Sequence, residues 1–452
     1  MTTHDFDVIV VGGGLAGLAC TGELVLHGAR PLLVCETNEV GAIFRPTPVG
    51  DSRAFMQHPF WQLGWGGGWW PTLVRALNVP VRMHPTLMPT VTVLGSGRFT
   101  DIPFCPSAAA MTDIIIEAMP FPIEEIRKPF EDLIEKAMAI PYQDLLRMHD
   151  VSMPEWFEDQ DADPVVAMIV LSLIGALQAV PPEDAANFSV LGGWGTLRSW
   201  IASEGVMFAV EPDPQNGLCV PLAREIEHRG GTIWRGRRVA HILMEAETAT
   251  GVVLEDGTEA RAPVVAVAAG NPRIGSLFEV TPPEVEEPLR YSSQFVNEDF
   301  NVFSVLDKPV WTGDRMVAIA NPDGSFLEFI WPLHHFPWTT PPGTQLIGCI
   351  RNHPAKKVAE LGGRDAIYAD MRQSCEEICP GYQEATVATA TQQHRHHWSV
   401  PLLAGPKLPR QATSVRGLWF VGDGSTPVGG IWMEAAASAG MLGARSIAAG
   451  RP

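Results

Sequence analysis

Near the start of the chain stands Val8-Ile9-Val10-Val11-Gly12-Gly13-Gly14-Leu15-Ala16-Gly17. The first four residues are all apolar, the pattern of a parallel strand buried on both faces. Gly12, Gly14 and Gly17 then give a GxGxxG spacing. The pattern predicts a helix over 14–27, with Leu15, Leu18, Ala19 and Leu24 available for packing and Gly28 as its stop. A second strand is predicted over 31–35, ending at Glu36.

Each residue type in this unit has a physical task. Gly12 permits a tight turn, Gly14 lets a pyrophosphate approach the backbone, and Gly17 lets the helix pack against the strand. The helix N-terminus offers free N–H groups and a partial positive charge to phosphate. Glu36 stands roughly 20 residues beyond the motif, where a carboxylate can accept both ribose hydroxyls and would repel a 2′-phosphate. The strand, the helix and the acid together point to a nucleotide site. They do not separate NAD from FAD.

The C-terminal end narrows that choice. Gly417-Leu418-Trp419-Phe420-Val421-Gly422-Asp423-Gly424 reads as a buried strand closing on Gly-Asp-Gly. Gly429-Gly430-Ile431-Trp432-Met433-Glu434-Ala435-Ala436-Ala437-Ser438-Ala439-Gly440 reads as a loop entering a small-residue helix. A middle segment adds a helix over 221–229, strands over 232–234, 239–242 and 252–254, and another apolar run over 264–268. Taken together, these segments resemble the FAD-binding motifs of the phytoene desaturase and monoamine oxidase superfamily. The resemblance touches both ends and the middle, about a third of the chain. It implies that Asp423, after Gly422, holds the ribityl chain. It also implies that Gly430, Ile431, Trp432 and Met433 approach the isoalloxazine ring, and that Val239 meets the adenine through its backbone.

The chain departs from the family pattern in two places. After the acidic residue the family has Gly-Gly-Arg, whereas here Gly41 is followed by Ala42, with Arg45 nearby as the candidate cation. Thr21 stands where an alanine is usual. Prenyl-protein escort proteins share the fold without flavin. They lack an intact set of FAD residues, whereas this chain keeps Gly12, Gly14, Gly17, Glu36 and Asp423.

The expected fold class is α/β: a Rossmann-type FAD-binding domain over 1–98, 212–275 and 405–452, with a discontinuous α+β substrate domain over 99–211 and 276–404. The substrate domain reads as a helical cap plus an antiparallel sheet. Helices are predicted over 111–119, 129–138, 142–148 and 165–177, with Pro120, Pro122, Pro141, Pro154 and Pro164 as breaks. Residues 300–350 read as β-rich, with turns at Asn321-Pro322-Asp323-Gly324 and Pro341-Pro342-Gly343. Trp65-Gly66-Gly67-Gly68-Trp69-Trp70 and Leu191-Gly192-Gly193-Trp194-Gly195 have two readings: backbone close to flavin or substrate with aromatic walls, or turns with packed tryptophans. His394, His396 and His397 have no carboxylate cluster beside them, so no metal site is read there. His334 and His335 read as partly exposed structural histidines, with one histidine from these groups as an acid or base near the flavin the lesser alternative.

Composition bounds the partners. The chain has 452 residues and a net charge of −19, with a mean hydropathy of +0.07. An acidic surface argues against nucleic acid and anionic lipid as main partners. The seven cysteines (Cys20, Cys35, Cys105, Cys219, Cys349, Cys375 and Cys379) show no CxxC pair and read as reduced thiols of a cytoplasmic protein. No export signal is read at the N-terminus. The most apolar stretch, 164–177, is shorter than the ~20 residues that span a bilayer. It reads as a buried helix, with transient membrane contact as the lesser alternative.

The resemblance implies two reaction classes. Amine oxidases cage the amine nitrogen between two aromatic rings, and Trp432 stands where they carry a cage tyrosine. Trp398 is the candidate for the opposite wall. Tyrosine is absent from the C-terminal motif, and no cysteine stands where some amine oxidases attach flavin, so non-covalent FAD is expected. The reading favours hydride removal from, or isomerisation of, a lipophilic C–C substrate, with amine oxidation second and a flavin-free escort protein third. No motif identifies a catalytic acid or base, or selects an electron acceptor.

Overall fold

The structure is a computed structural model. It describes residues 5–54, 68–86, 90–93, 97, 99–101, 113, 124–178, 180, 182–202, 207–313, 315–320, 327–396, 402–425 and 432–450. The expectations for residues 61–67, 105, 111–112, 114–122, 321–324, 397–398 and 429–431 lie outside these residues.

The predicted strand forms as Val8–Val11, and its residues are 0–6% exposed. It is the middle strand of a five-stranded parallel sheet ordered Leu418–Phe420, Val265–Val267, Val8–Val11, Pro31–Val34, Thr232–Trp234. Strands from the start, middle and end of the sequence therefore lie side by side. Both faces are covered, which explains why each strand reads as an unbroken apolar run. The Leu15–Leu26 and Trp432–Ala449 helices share one apolar cluster on one face. The sheet Val239–Glu245, Thr248–Leu254, Glu259–Arg261 shares another on the opposite face.

The second half of the architecture is a seven-stranded sheet in the order Thr386–His396, Asn297–Leu306, Gln345–Pro354, Leu327–Pro332, Val317–Ala320, Thr90–Val93, Phe99–Asp101. It is antiparallel except for one parallel pair, Val317–Ala320 with Thr90–Val93. Its strands alternate between two cores. Phe300, Val302 and Leu306 pack with residues of the Arg364–Ile378 helix. Phe303 and Val305 face the other way, into a cluster built from the Arg127–Ala139, Met153–Asp159, Pro164–Gln178 and Val190–Ala202 helices. No helix is long and apolar enough to cross a membrane among the described residues.

The Leu191–Gly195 segment is not a turn but part of the Val190–Ala202 helix, and its tryptophan is packed as the second reading expected. A methyl group at Gly192 would run into the backbone of Leu402, so the missing side chain serves close packing. Trp194 is fully buried, edge-on to Trp156 at 5.2 Å and to Phe157 at 6.4 Å. Trp70 is likewise core, and Trp69 carries Arg445 over its ring at 5.5 Å.

Candidate functional site

The C-terminal ends of three adjacent strands bring the separate motifs together. Gly12 has φ +121°, outside the range of other L-residues, and a side chain there would strike the Ala268 carbonyl. A side chain at Gly17 would strike the carbonyl of Gly12, so helix and turn touch as the motif requires. Gly14 differs. Its absent Cβ faces open space, with only the Ala42 Cβ at 3.7 Å. No side chain caps the Leu15–Leu26 helix at Gly14, and its first turn carries no acid. The first N–H groups of the helix thus face a cradle that a side chain would fill, and the residues present fit a pyrophosphate.

The rest of the first motif lines this cradle. The Gly41 N–H donates to the Gly13 carbonyl at 2.8 Å, which lays the Ala42–Phe44 turn over the glycines. Arg45 follows that turn and is exposed. Glu36 follows the Pro31–Val34 strand, and its side chain is 58% exposed. It reaches Arg238 Nε at 3.4 Å, which brings it beside Val239 at the start of the next sheet. The Val239 carbonyl accepts from Arg273 Nη2 at 2.7 Å. Arg238 was not singled out from the sequence. The turn Arg235–Arg238 is rich in arginine, but nothing local marks which of them meets Glu36.

The second motif closes on the same place. Val421 N–H bonds the Val267 carbonyl at 2.8 Å, so Gly422 lies over the end of the neighbouring strand. Asp423 opens a turn, Asp423–Ser425, tied down by the Ser425 hydroxyl donating to the Gly422 carbonyl at 2.6 Å. Gly430 and Ile431 lie outside the described residues. Trp432 is the first residue of the last helix, and Met433 is 3% exposed against the first. A side chain at Gly440 would meet Ala16 and Cys20, and further along Arg445 Nε donates to Glu23 Oε1 at 2.7 Å. The two contacts advance together, so the helices run in the same direction and both N-termini point to the same end of the sheet. Two partial positive charges converge there.

Glu434 is a residue that the sequence reading missed. It is 0% exposed in the first turn of the last helix, and its Oε2 accepts from the Trp69 N–H at 2.6 Å. Burial pushes its carboxyl up to about 7, against the pull of the Trp69 and Trp70 backbone N–H groups. A lone acid in a run of alanines was the available signal. Glu434 joins the second motif to the helix Trp69–Leu77.

Elsewhere, His334, His335 and His394 each have a hydrogen-bond partner. His334 Nδ1 bonds the Leu346 carbonyl at 3.2 Å, and burial lowers its pKa. His335 Nε2 meets the Gly313 carbonyl at 3.0 Å. His394 pairs with Gln392 Oε1 at 3.4 Å. Glu328, Cys349 and Cys375 have ligand-type atoms within 4.8 Å of one another, all buried. Arg351 already donates to Glu328 Oε2 through Nε at 3.0 Å and through Nη2, and the Cys349 thiol donates to Oε1 at 2.6 Å. The guanidinium occupies the place that a metal charge would take, so the trio is a hydrogen-bonded network. On the sheet face turned to the helical layer, Asn297, Asp299, Asn301 and Asn352 are 2–5% exposed, and Asn301 Nδ2 has no partner among the described residues. The period-2 pattern of 297–301 was the sequence signal for this patch.

The sequence matches no family model and none of the curated proteins. Solved structures do match. An oxidoreductase from Methanosarcina mazei is 20% identical with a TM-score of 0.73, over 98% of this chain and 99% of that one. Cyclohexylamine oxidase from Brevibacterium oxydans IH-35A is 15% identical with a TM-score of 0.65, over 98% and 99%. Putrescine oxidase bound to putrescine is 14% identical with a TM-score of 0.65, over the same shares. At these identities the likeness is one of fold, and over nearly its whole length this chain has the fold of these oxidoreductases.

Proposed function

We propose that the chain is an FAD-dependent oxidoreductase that holds its flavin non-covalently and acts on a C–H bond of a lipophilic substrate. The observation that carries the cofactor is the convergence of two parallel helix N-termini on the Gly12–Gly14 cradle, with Glu36 and Gly422-Asp423 at its sides. The N–H groups of the first helix and Arg45 would hold the pyrophosphate, Glu36 the ribose, and Asp423 the ribityl chain. The last helix would aim its N-terminus at the ring. When bound, the flavin supplies a hydride acceptor. The protein's own contribution is to orient the substrate and exclude water, for which the apolar helical cluster facing the seven-stranded sheet is suited.

Amine oxidation is the second reading. Asp299, buried on the sheet face turned to that cluster, is the kind of group that would recognise a cation. Two proteins of the same fold are named for amine substrates. One experiment orders the readings. The purified protein is expected to be yellow and to release FAD, not FMN, on heating. Under anaerobic conditions lipophilic alkenes or cyclic ketones should bleach the flavin band near about 450 nm faster than primary or secondary amines do. Fast bleaching by an amine, slowed in Asp299→Asn, would establish the second reading instead. Colourless protein that refuses added FAD would overturn both and favour an escort-type binding protein.

A further inference from the structure

The helix Pro164–Gln178 carries no charged side chain. Val166, Ile169, Val170 and Ile174 turn inward and are buried in the helical cluster that faces the seven-stranded sheet. Pro164, Ala167, Met168 and Leu171 follow the i, i+3, i+4, i+7 spacing of a second apolar stripe. A helix that is apolar all round is normally covered on every side, yet this stripe is left open. Met168 is 54% exposed and Val165, next to the stripe, 40%. The stripe forms one side of a groove of about 630 Å³. Phe157 and Glu158, from the Met153–Asp159 helix, and Asp161, from the loop after it, line the other side.

The surroundings of this groove are acidic. Between His149 and Arg198 the sequence has eight acidic residues and no Lys, Arg or His. Two of the acids serve the backbone: Asp163 Oδ1 accepts from the Val165 N–H at 2.8 Å, and Glu155 closes a capping box with Ser152. Glu158, Asp159 and Asp161 are exposed, and among the described residues no cation pairs with them. Negative charge around an apolar groove selects the occupant. It repels an anionic bilayer and a second copy of the same face, and it attracts apolar side chains flanked by cations. A methionine at the contact adapts to apolar groups of varied shape.

We infer that this groove docks a basic amphipathic segment of another protein, with apolar residues against Met168 and Leu171 and Lys or Arg side chains against Glu158 and Asp161. The surface does not depend on the reaction proposed above.

The probe is a fluorescein-labelled amphipathic helical peptide of leucine and lysine, followed by anisotropy against the FAD-supplemented chain at about 0.15 M salt. Met168→Glu separates docking from bulk attraction. It adds a negative charge on the exposed face, so an association driven by net charge alone should tighten. Docking in the groove should instead weaken at least about tenfold. Glu158→Gln with Asp161→Gly should also weaken binding about tenfold and flatten its salt dependence. Asp161 has φ +50°, which glycine adopts freely, so this variant keeps the backbone path. Hydrogen exchange on the unaltered chain locates the contact without any variant, and saturating peptide should slow exchange over 154–172. A peptide with glutamate in place of every lysine should not bind. Binding that Met168→Glu leaves equal or tighter, equal binding of the glutamate peptide, or protection confined to other parts of the chain would each overturn the inference. So would uptake by phosphatidylcholine vesicles, or a concentration-dependent dimer, that Met168→Glu abolishes, because these give the face to a bilayer or to a second copy.

Discussion

Glu328, in the seven-stranded sheet, and Glu434, in the first turn of the last helix, are both 0% exposed. Their surroundings differ. Glu328 receives Arg351 and the Cys349 thiol, and Arg351 in turn reaches Asp370 and Ser374 Oγ, the latter at 3.1 Å. Burial alone would lower the pKa of Arg351, but Glu328 and Asp370 outweigh it and hold the guanidinium charged. Among the described residues no cation pairs with Glu434. Its hydrogen-bond partners are the backbone N–H groups of the Trp69–Leu77 helix. In the seven-stranded sheet a buried acid faces an internal cation, which offsets part of the burial that still pushes the Glu328 carboxyl up. Beside the parallel sheet a buried acid is relieved by taking up a proton.

The largest expected effect breaks the compensated side. Arg351→Leu leaves Glu328 as an unpaired buried carboxylate and should destabilise the fold by about 3–5 kcal/mol. Removing both partners, Glu328→Leu with Arg351→Leu, should recover most of that loss, because the pair itself repays little more than its own desolvation. Urea unfolding midpoints of the three proteins check this. A double variant as unstable as the single would mean that the cost lies in packing rather than in uncompensated charge.

Glu434 gives the complementary test, in pH. Its carboxyl moves from an ordinary 4.5 to about 7 on folding. Between those values the native state keeps a proton that the unfolded chain has released, so this group makes stability fall as pH rises. The full cost, about 3 kcal/mol, is reached above pH about 7. Glu434→Gln keeps an oxygen for the Trp69 N–H and removes the ionisation. The variant should match the parent near pH 4.5 and become more stable than it by pH 8, by up to about 3 kcal/mol. A stability difference that stays flat across this range would show that Glu434 is solvated or paired in solution.

The same contrast explains what could be read in advance. The parallel sheet and its glycine turn are written in consecutive residues: an unbroken apolar run, GxGxxG, then an acid after the next run. The Thr386–His396 strand escaped because it is an edge strand. Its Gln392, Gln393, His394 and Arg395 carry no apolar alternation, and the sequence showed only a histidine cluster. The Val190–Ala202 helix was misread because its glycines lower helix propensity, and only the approach of Leu402 explains them. Glu434 and Trp69 are 365 residues apart, so no local pattern could pair them. For the candidate site, the glycines and acids of the consecutive motifs were legible as candidates. Residues that brace the motif from a distant segment were not.

The smallest expected effect on the fold, and the one that separates ligand chemistry from structural chemistry, is at Glu36. Its side chain is 58% exposed, and its ion-pair partner, Arg238 at 3.4 Å, is itself 47% exposed. Exposed pairs of this kind contribute about 0–1 kcal/mol. Without FAD, Glu36→Ala should therefore unfold at nearly the urea midpoint of the parent, unlike either buried glutamate. With FAD the two should part. A lost charge-assisted hydrogen bond to the ribose costs roughly 1.5–3 kcal/mol, or about ten- to more than a hundredfold in affinity. Excess FAD stabilises the native state by RT ln(1 + [L]/Kd), so the variant should gain correspondingly less from the same FAD concentration. Equal gains in parent and variant would place the ribose contact elsewhere and leave the exposure of Glu36 without a ligand to explain it.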